Sequence, residues 1–169
     1  MLDTAKLDAL RRKVAENPGV VIEYAAKEHG VSALTVLEAL PEAMREFAPG
    51  SAFIDAMNDI ATWGELTAII HTEDGIFEIG GAIPPGSVGH GFFNLAGSAP
   101  FHGHLRHERC ASVAFVERTF NGKVSVFVAF VNTDGGIMFK VFVGRDEKRE
   151  LKQDQFEKFR ALRERLAAK

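Results

Sequence analysis

The sequence predicts an α+β fold, with short helices at the start, an antiparallel β-sheet meander in the middle and an amphipathic helix at the end. Three observations carry this reading. Apolar residues up to about Trp63 recur at helical spacing; Glu65 to Arg145 alternates β-branched and aromatic runs with Gly-rich turns; the last twenty or so residues return to helical spacing. At 169 residues the chain has the length of one domain. Within it, residues 1–63 form the helical part, 65–145 the sheet part and 148–167 the C-terminal helix.

Leu7, Leu10 and Val14 mark a first helix that Asn17-Pro18-Gly19 stops, and a second from Val20 ends at Gly30. Ser32 is the expected N-cap of a third, which runs to Leu40 before Pro41. Phe53, Met57 and Ile60 mark one face of a fourth, ending near Trp63-Gly64. The sheet opens with Glu65 to Thr72, turns at Glu73-Asp74-Gly75 and returns through Ile76 to Ile79. Gly80 to Asn94, with Pro84, Pro85 and five glycines, holds too many breakers for regular structure and is expected to be a loop. Strands resume at Gly103 to His107 and Ala111 to Arg118; Asn121-Gly122 turns into Val124 to Val131, and Asp134-Gly135-Gly136 into Ile137 to Val143. Val124, Val126, Val128 and Phe130 line one face of their strand and Phe127, Ala129 and Val131 the other. Both faces are therefore buried, either because the strand is central or because one face meets a partner. Leu151, Phe156, Phe159, Leu162 and Leu166 give the final helix its apolar face, and its charges are read as a solvated one.

Composition excludes several function classes. Twenty Lys and Arg against 23 Asp and Glu leave a formal charge of −3, which argues against a basic nucleic-acid binder. Ala25 to Val36 imitates a helix-turn-helix with its turn at Gly30, yet Ala33 to Leu40 contains no Lys, Arg, Asn or Gln to read base edges, and Glu38 would repel phosphate. A helical unit packed beside the sheet is the better reading. Val124 to Val131 is far too short for a membrane span, and the first residues lack the pattern of a secretory signal, so a cytoplasmic location is expected. The single Cys110 has no partner and reads as a small buried hydrophobe. No GxSxG, Walker or dinucleotide-binding pattern is present, and Glu117-Arg118 and Asp146-Glu147 read as solvated or paired charges.

Five of the six histidines, His71, His90, His102, His104 and His107, fall in the Gly-rich segment and its flanking strands. Imidazole is the commonest protein metal ligand, so this is where metal or haem chemistry would concentrate. His102-Gly103-His104 followed by Glu108 resembles a first cupin motif for a nonhaem metal, and Pro84-Pro85-Gly86 with His90 to Asn94 resembles parts of the second. Gly97 and Phe115 break the required spacing, however, and the second fragment precedes the first. Closed tetrahedral zinc spacing is also lacking.

A set of longer matches covers nearly the whole chain: Val36-Leu37-Glu38-Ala39-Leu40-Pro41, Ile69-Ile70-His71-Thr72, Gly89-His90-Gly91-Phe92-Phe93-Asn94-Leu95, Gly103-His104-Leu105, Ala114 to Arg118 and Lys140 to Asp146. In this order they resemble the HutX/ChuX-type haem-utilisation carriers of Gram-negative bacteria. The resemblance implies a fold similar to one half of the larger two-repeat HemS/ChuS-type proteins, a homodimer, and haem b as the bound group, passed from a donor to an acceptor protein. It also implies His71 and His104 as the haem-linked histidines. Beside these, His90 is a second ligand, a lid element or merely an exposed loop residue, Arg106 is placed to reach a propionate, and Phe92, Phe93 and Phe101 are candidate rings against the porphyrin. A haem-degrading enzyme of the same superfamily is the alternative activity.

Overall fold

The computed structural model describes residues 3–167. Its centre is a six-stranded antiparallel sheet, covered on one face by the first three helices and on the other by two helices and a small second sheet. The N-terminal helices are α1 (Thr4–Glu16), α2 (Ile22–His29) and α3 (Ala33–Ala39). Asp3 caps α1 through the amide of Ala5, and Ser32 caps α3 through the amide of Thr35, as its side-chain chemistry predicts. Ala33, Val36, Leu37 and Ala39 of α3 are buried, so the segment that imitates a recognition helix is core.

The strands are β1 (Arg45–Pro49), β2 (Glu65–His71), β3 (Ile76–Ala82), β4 (Gly86–Gly89), β5 (Phe92–Leu95), β6 (Gly103–Leu105), β7 (Cys110–Phe120), β8 (Lys123–Asn132) and β9 (Ile137–Phe142), with α4 (Phe53–Ile60) after β1 and α5 (Gln153–Leu166) last. The large sheet has the order β1-β7-β8-β9-β2-β3, and β4-β5-β6 form the small one. Only β7 to β9 and the β2-β3 hairpin are therefore a true meander. β8 is central: Val126, Val128 and Phe130 join α4, α5 and β5 in one apolar cluster, while Phe127, Ala129 and Val131 join α1 to α3 in the other. The two-sided apolar pattern of this strand is thus satisfied within the chain from Val126 onward, whereas Val124, expected on the buried face, is exposed at the strand's start.

Three sequence expectations are corrected. The helical part contains β1, which pairs with β7 from Arg45 opposite Val116 to Pro49 opposite Ser112. Five residues bearing two charges and a proline give no strand signal, yet a sheet edge tolerates them. The expected loop 80–94 holds the end of β3, all of β4 and most of β5. Its glycines suit a crowded sheet: a Cβ on Gly86 would lie 2.4 Å from the Phe93 ring, and the His90-Gly91 turn closes the β4-β5 hairpin with φ of 53° and 80°. Finally, Leu151 is not helical but bridges Arg145, so α5 begins later than expected.

Phe130 stacks on Phe139 at 4.6 Å between centroids and meets Phe53 at 5.0 Å. Phe130→Ala is expected to lower the unfolding free energy by about 3–5 kcal/mol; a loss below about 1 kcal/mol in urea denaturation would refute its place at the centre of this cluster.

Candidate functional site

Along β2, Leu66, Ala68 and Ile70 point toward α4 and α5, so alternation turns Thr67, Ile69 and His71 toward the face that carries α2. His71 meets α2 there. Its side chain is 7% exposed, its Nδ1 lies 3.2 Å from Glu23 Oε2, and the Tyr24 ring stands edge-on to the imidazole at 5.0 Å. The other Glu23 oxygen accepts from Lys140 Nζ at 2.6 Å. Lys140 faces the same way because it pairs with Ile69 across β9 and β2.

Nearby, Arg118 donates from Nη1 to the carbonyls of Pro18 at 2.8 Å and Val20 at 2.7 Å, which ties the entrance of α2 to β7. Its guanidinium lies over Phe127, and its Nε is buried without a partner. Burial pushes the Arg118 pKa down to about 10 against the opposing pull of Glu23, and burial likewise lowers that of Lys140. One half-buried carboxylate thus meets Lys140 and His71 directly and sets its charge against that of Arg118 from a distance.

Two clefts open beside His71, which lines both. The first, about 760 Å³, is lined by Glu23, Glu73 and Asp74 against Lys27, whose ammonium is already 2.8 Å from Glu73. The second, about 660 Å³, has Ile69, Phe120 and Phe142 among its walls, and Arg118, Lys140, Arg145 and Arg149 against Glu78. Their chemistry is opposite: the first repels an anion, whereas the second offers apolar surface with cations around it.

The other sequence-predicted residues gather elsewhere. His104 lies opposite Asn94 on the small sheet, and Phe93, Leu95 and Leu105 anchor that sheet to the α4/α5 side of the core. The outward face carries His104, Phe92 and Asn94, with the Arg106 guanidinium 5.3 Å from the Phe92 ring. Asn94 Nδ2 donates to the Gly89 carbonyl at 3.1 Å, which turns its Oδ1 toward His104 Nδ1 at 2.6 Å. Since that oxygen only accepts, Nδ1 carries the proton and the lone pair of His104 resides on Nε2. His90 is exposed at the β4-β5 turn.

The structure therefore joins His90, His104 and Arg106 on one small sheet and sets His71 apart, across the large sheet. Phe93 and Phe101 are buried core residues, so of the three candidate rings only Phe92 is on the outward face. The cupin-like set also fails to assemble. β6 is too short to include His102, whose Nδ1 turns back to the Ala99 carbonyl. Among the described residues no three His, Cys, Asp or Glu side chains converge as a metal site. Sequence reading missed Glu23, Lys140 and Arg149. Lys140 carried a usable signal, because a lysine inside the apolar run Ile137 to Val143 needs a buried partner.

This is the geometry of an α+β small-molecule-binding protein whose second cleft suits an apolar ligand bearing negative charge. The family model for haem utilisation ChuX/HutX matches residues 46–162, and the chain belongs to that family. It is 32% identical over 163 residues to the intracellular heme transport protein HutX of Vibrio cholerae serotype O1, covering 94% of this chain and 84% of that one. Among solved structures, a protein from Erwinia carotovora is 42% identical with a TM-score of 0.89, over 93% of this chain and 98% of that one. The heme binding protein ChuX is 33% identical with a TM-score of 0.82, over 90% and 96%. At the level of fold alone, the chain matches about half of ChuS, an Escherichia coli heme oxygenase, at 13% identity and a TM-score of 0.70, over 94% of this chain and 48% of that one. Among the described residues no helix is long and apolar enough to cross a membrane.

Two predictions follow from the charges and the thiol. Glu23→Ala leaves Lys140 buried without its carboxylate and is expected to cost about 3 kcal/mol of stability, with Lys140→Met restoring part of it; a denaturation midpoint equal to wild type would contradict the role of this ion pair. Burial raises the Cys110 thiol to about 11, so below that pH it stays protonated. The folded protein is expected to resist alkylation at pH 8 and to react promptly once unfolded; equal rates in both states would overturn this assignment.

Proposed function

We propose that this protein binds haem, in its b form, and carries it from a donor to an acceptor protein in the cytoplasm, working as a homodimer. The observation that carries the reading is the second cleft, where an imidazole, an apolar floor and a set of cations border one space of about 660 Å³. These are the three groups that haem requires: a nitrogen for iron, an apolar surface for the macrocycle and cations for the propionates. Haem binding by the ChuX relative and the transport role named for the HutX relative support it. The homodimer rests on the family resemblance, since the chain's own layers cover both faces of β8.

His71 is the holding ligand in this reading, and the macrocycle enters the second cleft because the carboxylates of the first would oppose its propionates. His104, exposed and with its lone pair on Nε2, is the group that first receives haem or hands it on, with Arg106 and His90 beside it. A single imidazole at an open cleft suits a carrier, because two strong axial ligands and full enclosure would slow release.

A difference-absorbance titration with hemin tests this. Wild type is expected to give a saturable Soret shift, and His71→Ala to weaken binding about tenfold or more while keeping its melting curve. His104→Ala is expected to weaken binding less and to slow transfer to an apo-acceptor. Identical titrations for wild type and the double variant would sink the site. Under reductant and oxygen the haem spectrum should persist; verdoheme or biliverdin absorbance would make the protein a haem-degrading enzyme instead.

A further inference from the structure

We infer that Arg149, braced by Arg145, reads the carboxylates of the cargo and so makes the second cleft selective for a dicarboxylate macrocycle. This rests on the haem reading of that cleft and adds to it the residue that distinguishes the acid from a neutral analogue.

The placement follows from strand register. Along β2 and β9 the cleft floor runs from His71 through Ile69 beside Lys140 to Thr67 beside Phe142, after which the chain continues to Arg145. Four residues of strand, about 13 Å, separate the levels of His71 and Thr67. The imidazole therefore lies at one end of the floor and the arginines at the other. A flat ligand with its metal near His71 extends its acidic rim toward the arginine end.

The chain between Arg145 and Leu151 is tightly tied. Asp146 Oδ1 accepts from the amides of Lys148 at 2.8 Å and Glu150 at 3.0 Å, and Arg145 bridges Leu151. Arg145 spends its guanidinium on this frame, donating to the carbonyls of Val124 at 2.5 Å and Arg149 at 3.1 Å. Arg149 sits at the corner with φ of 63°, a left-handed conformation that costs any residue with a Cβ. Glycine would relieve that strain, yet an arginine occupies the position and lines the cleft. Among the described residues its guanidinium has no carboxylate within ion-pair distance and no hydrogen bond, unlike Arg160, Arg163 and Arg165, which are ion-paired. The deeper cations are already engaged, Lys140 with Glu23 and Arg118 with two carbonyls, and the unpartnered Arg118 Nε is buried out of contact with solvent. Arg149 is thus the cation left to meet a ligand carboxylate, and a guanidinium does so through two parallel hydrogen bonds.

The test compares hemin with hemin dimethyl ester, which keeps the iron and the macrocycle and lacks the negative charges. Wild type is expected to prefer hemin about tenfold or more. Arg149→Gly suits the left-handed backbone and should fold as wild type by its melting curve; it is expected to lose most of that preference while binding the ester as before, and Arg149→Lys to keep part of it. An unchanged preference in Arg149→Gly, or equal weakening of both ligands, would overturn the inference. His71→Ala run in parallel separates the two readings. If His71→Ala binds hemin as wild type while Arg149→Gly loses the preference, His71 is not the ligand and the carboxylate-reading role stands. If His71→Ala weakens hemin and Arg149→Gly keeps the preference, only the role of Arg149 fails.

Discussion

Burial of both faces of one strand is the constraint on which the rest of this structure depends. β8 sends Val126, Val128 and Phe130 to one side and Phe127, Ala129 and Val131 to the other, so neither side can be left to water. Two separate layers must therefore exist. The helices α1 to α3 supply one, and α4, α5 and the small sheet supply the other. The functional geometry follows from where those layers stop: α2 covers the large sheet only as far as His71, and the uncovered end of β2, β3 and β9 becomes the floor of the cleft.

That arrangement also explains why His71 and His104 are not neighbours. His71 belongs to the large sheet and looks toward α2, whereas His104 belongs to a sheet packed on the opposite layer and looks outward. Their environments differ accordingly. One imidazole is buried beside a carboxylate and an aromatic ring; the other is exposed and held by a neutral amide. In the proposed reading, a ligand at the first would be retained by its surroundings, and one at the second held by little beyond the imidazole itself.

Much of the fold was legible because it is written in short-range patterns. Ser32 as a cap, Asn121-Gly122 as a turn and the alternation in Val126 to Val131 each have a local physical cause, and each is found in the structure. β1 was not legible, since its partner Val116 lies some seventy residues away and its own residues favour no strand. The segment from Gly80 to Asn94 misled for a related reason: its glycines answer to the Phe93 ring and to a hairpin turn, and both are tertiary facts. The candidate histidines could be picked out through family-like stretches, but the groups around His71 come from α2, β7 and β9, and nothing in the linear spacing of Glu23, His71 and Lys140 announces that one carboxylate meets both the imidazole and the lysine.

The strand order carries a consequence for how the molecule comes into being. β2 has β9 as one neighbour and β1 has β7, so the large sheet joins residues near 45 and 67 to residues near 116 and 142. Such pairings have a high loop-closure entropy and form late. The β2-β3 hairpin and the short N-terminal helices precede the central strands β7 to β9 in the chain, so until those strands exist they have no sheet to lie against and little stability of their own. The floor beside His71 is completed only when β9 arrives, some seventy residues after β2. A nascent chain therefore exposes its apolar faces until β9 is made, and the cleft beside His71 takes shape only after that.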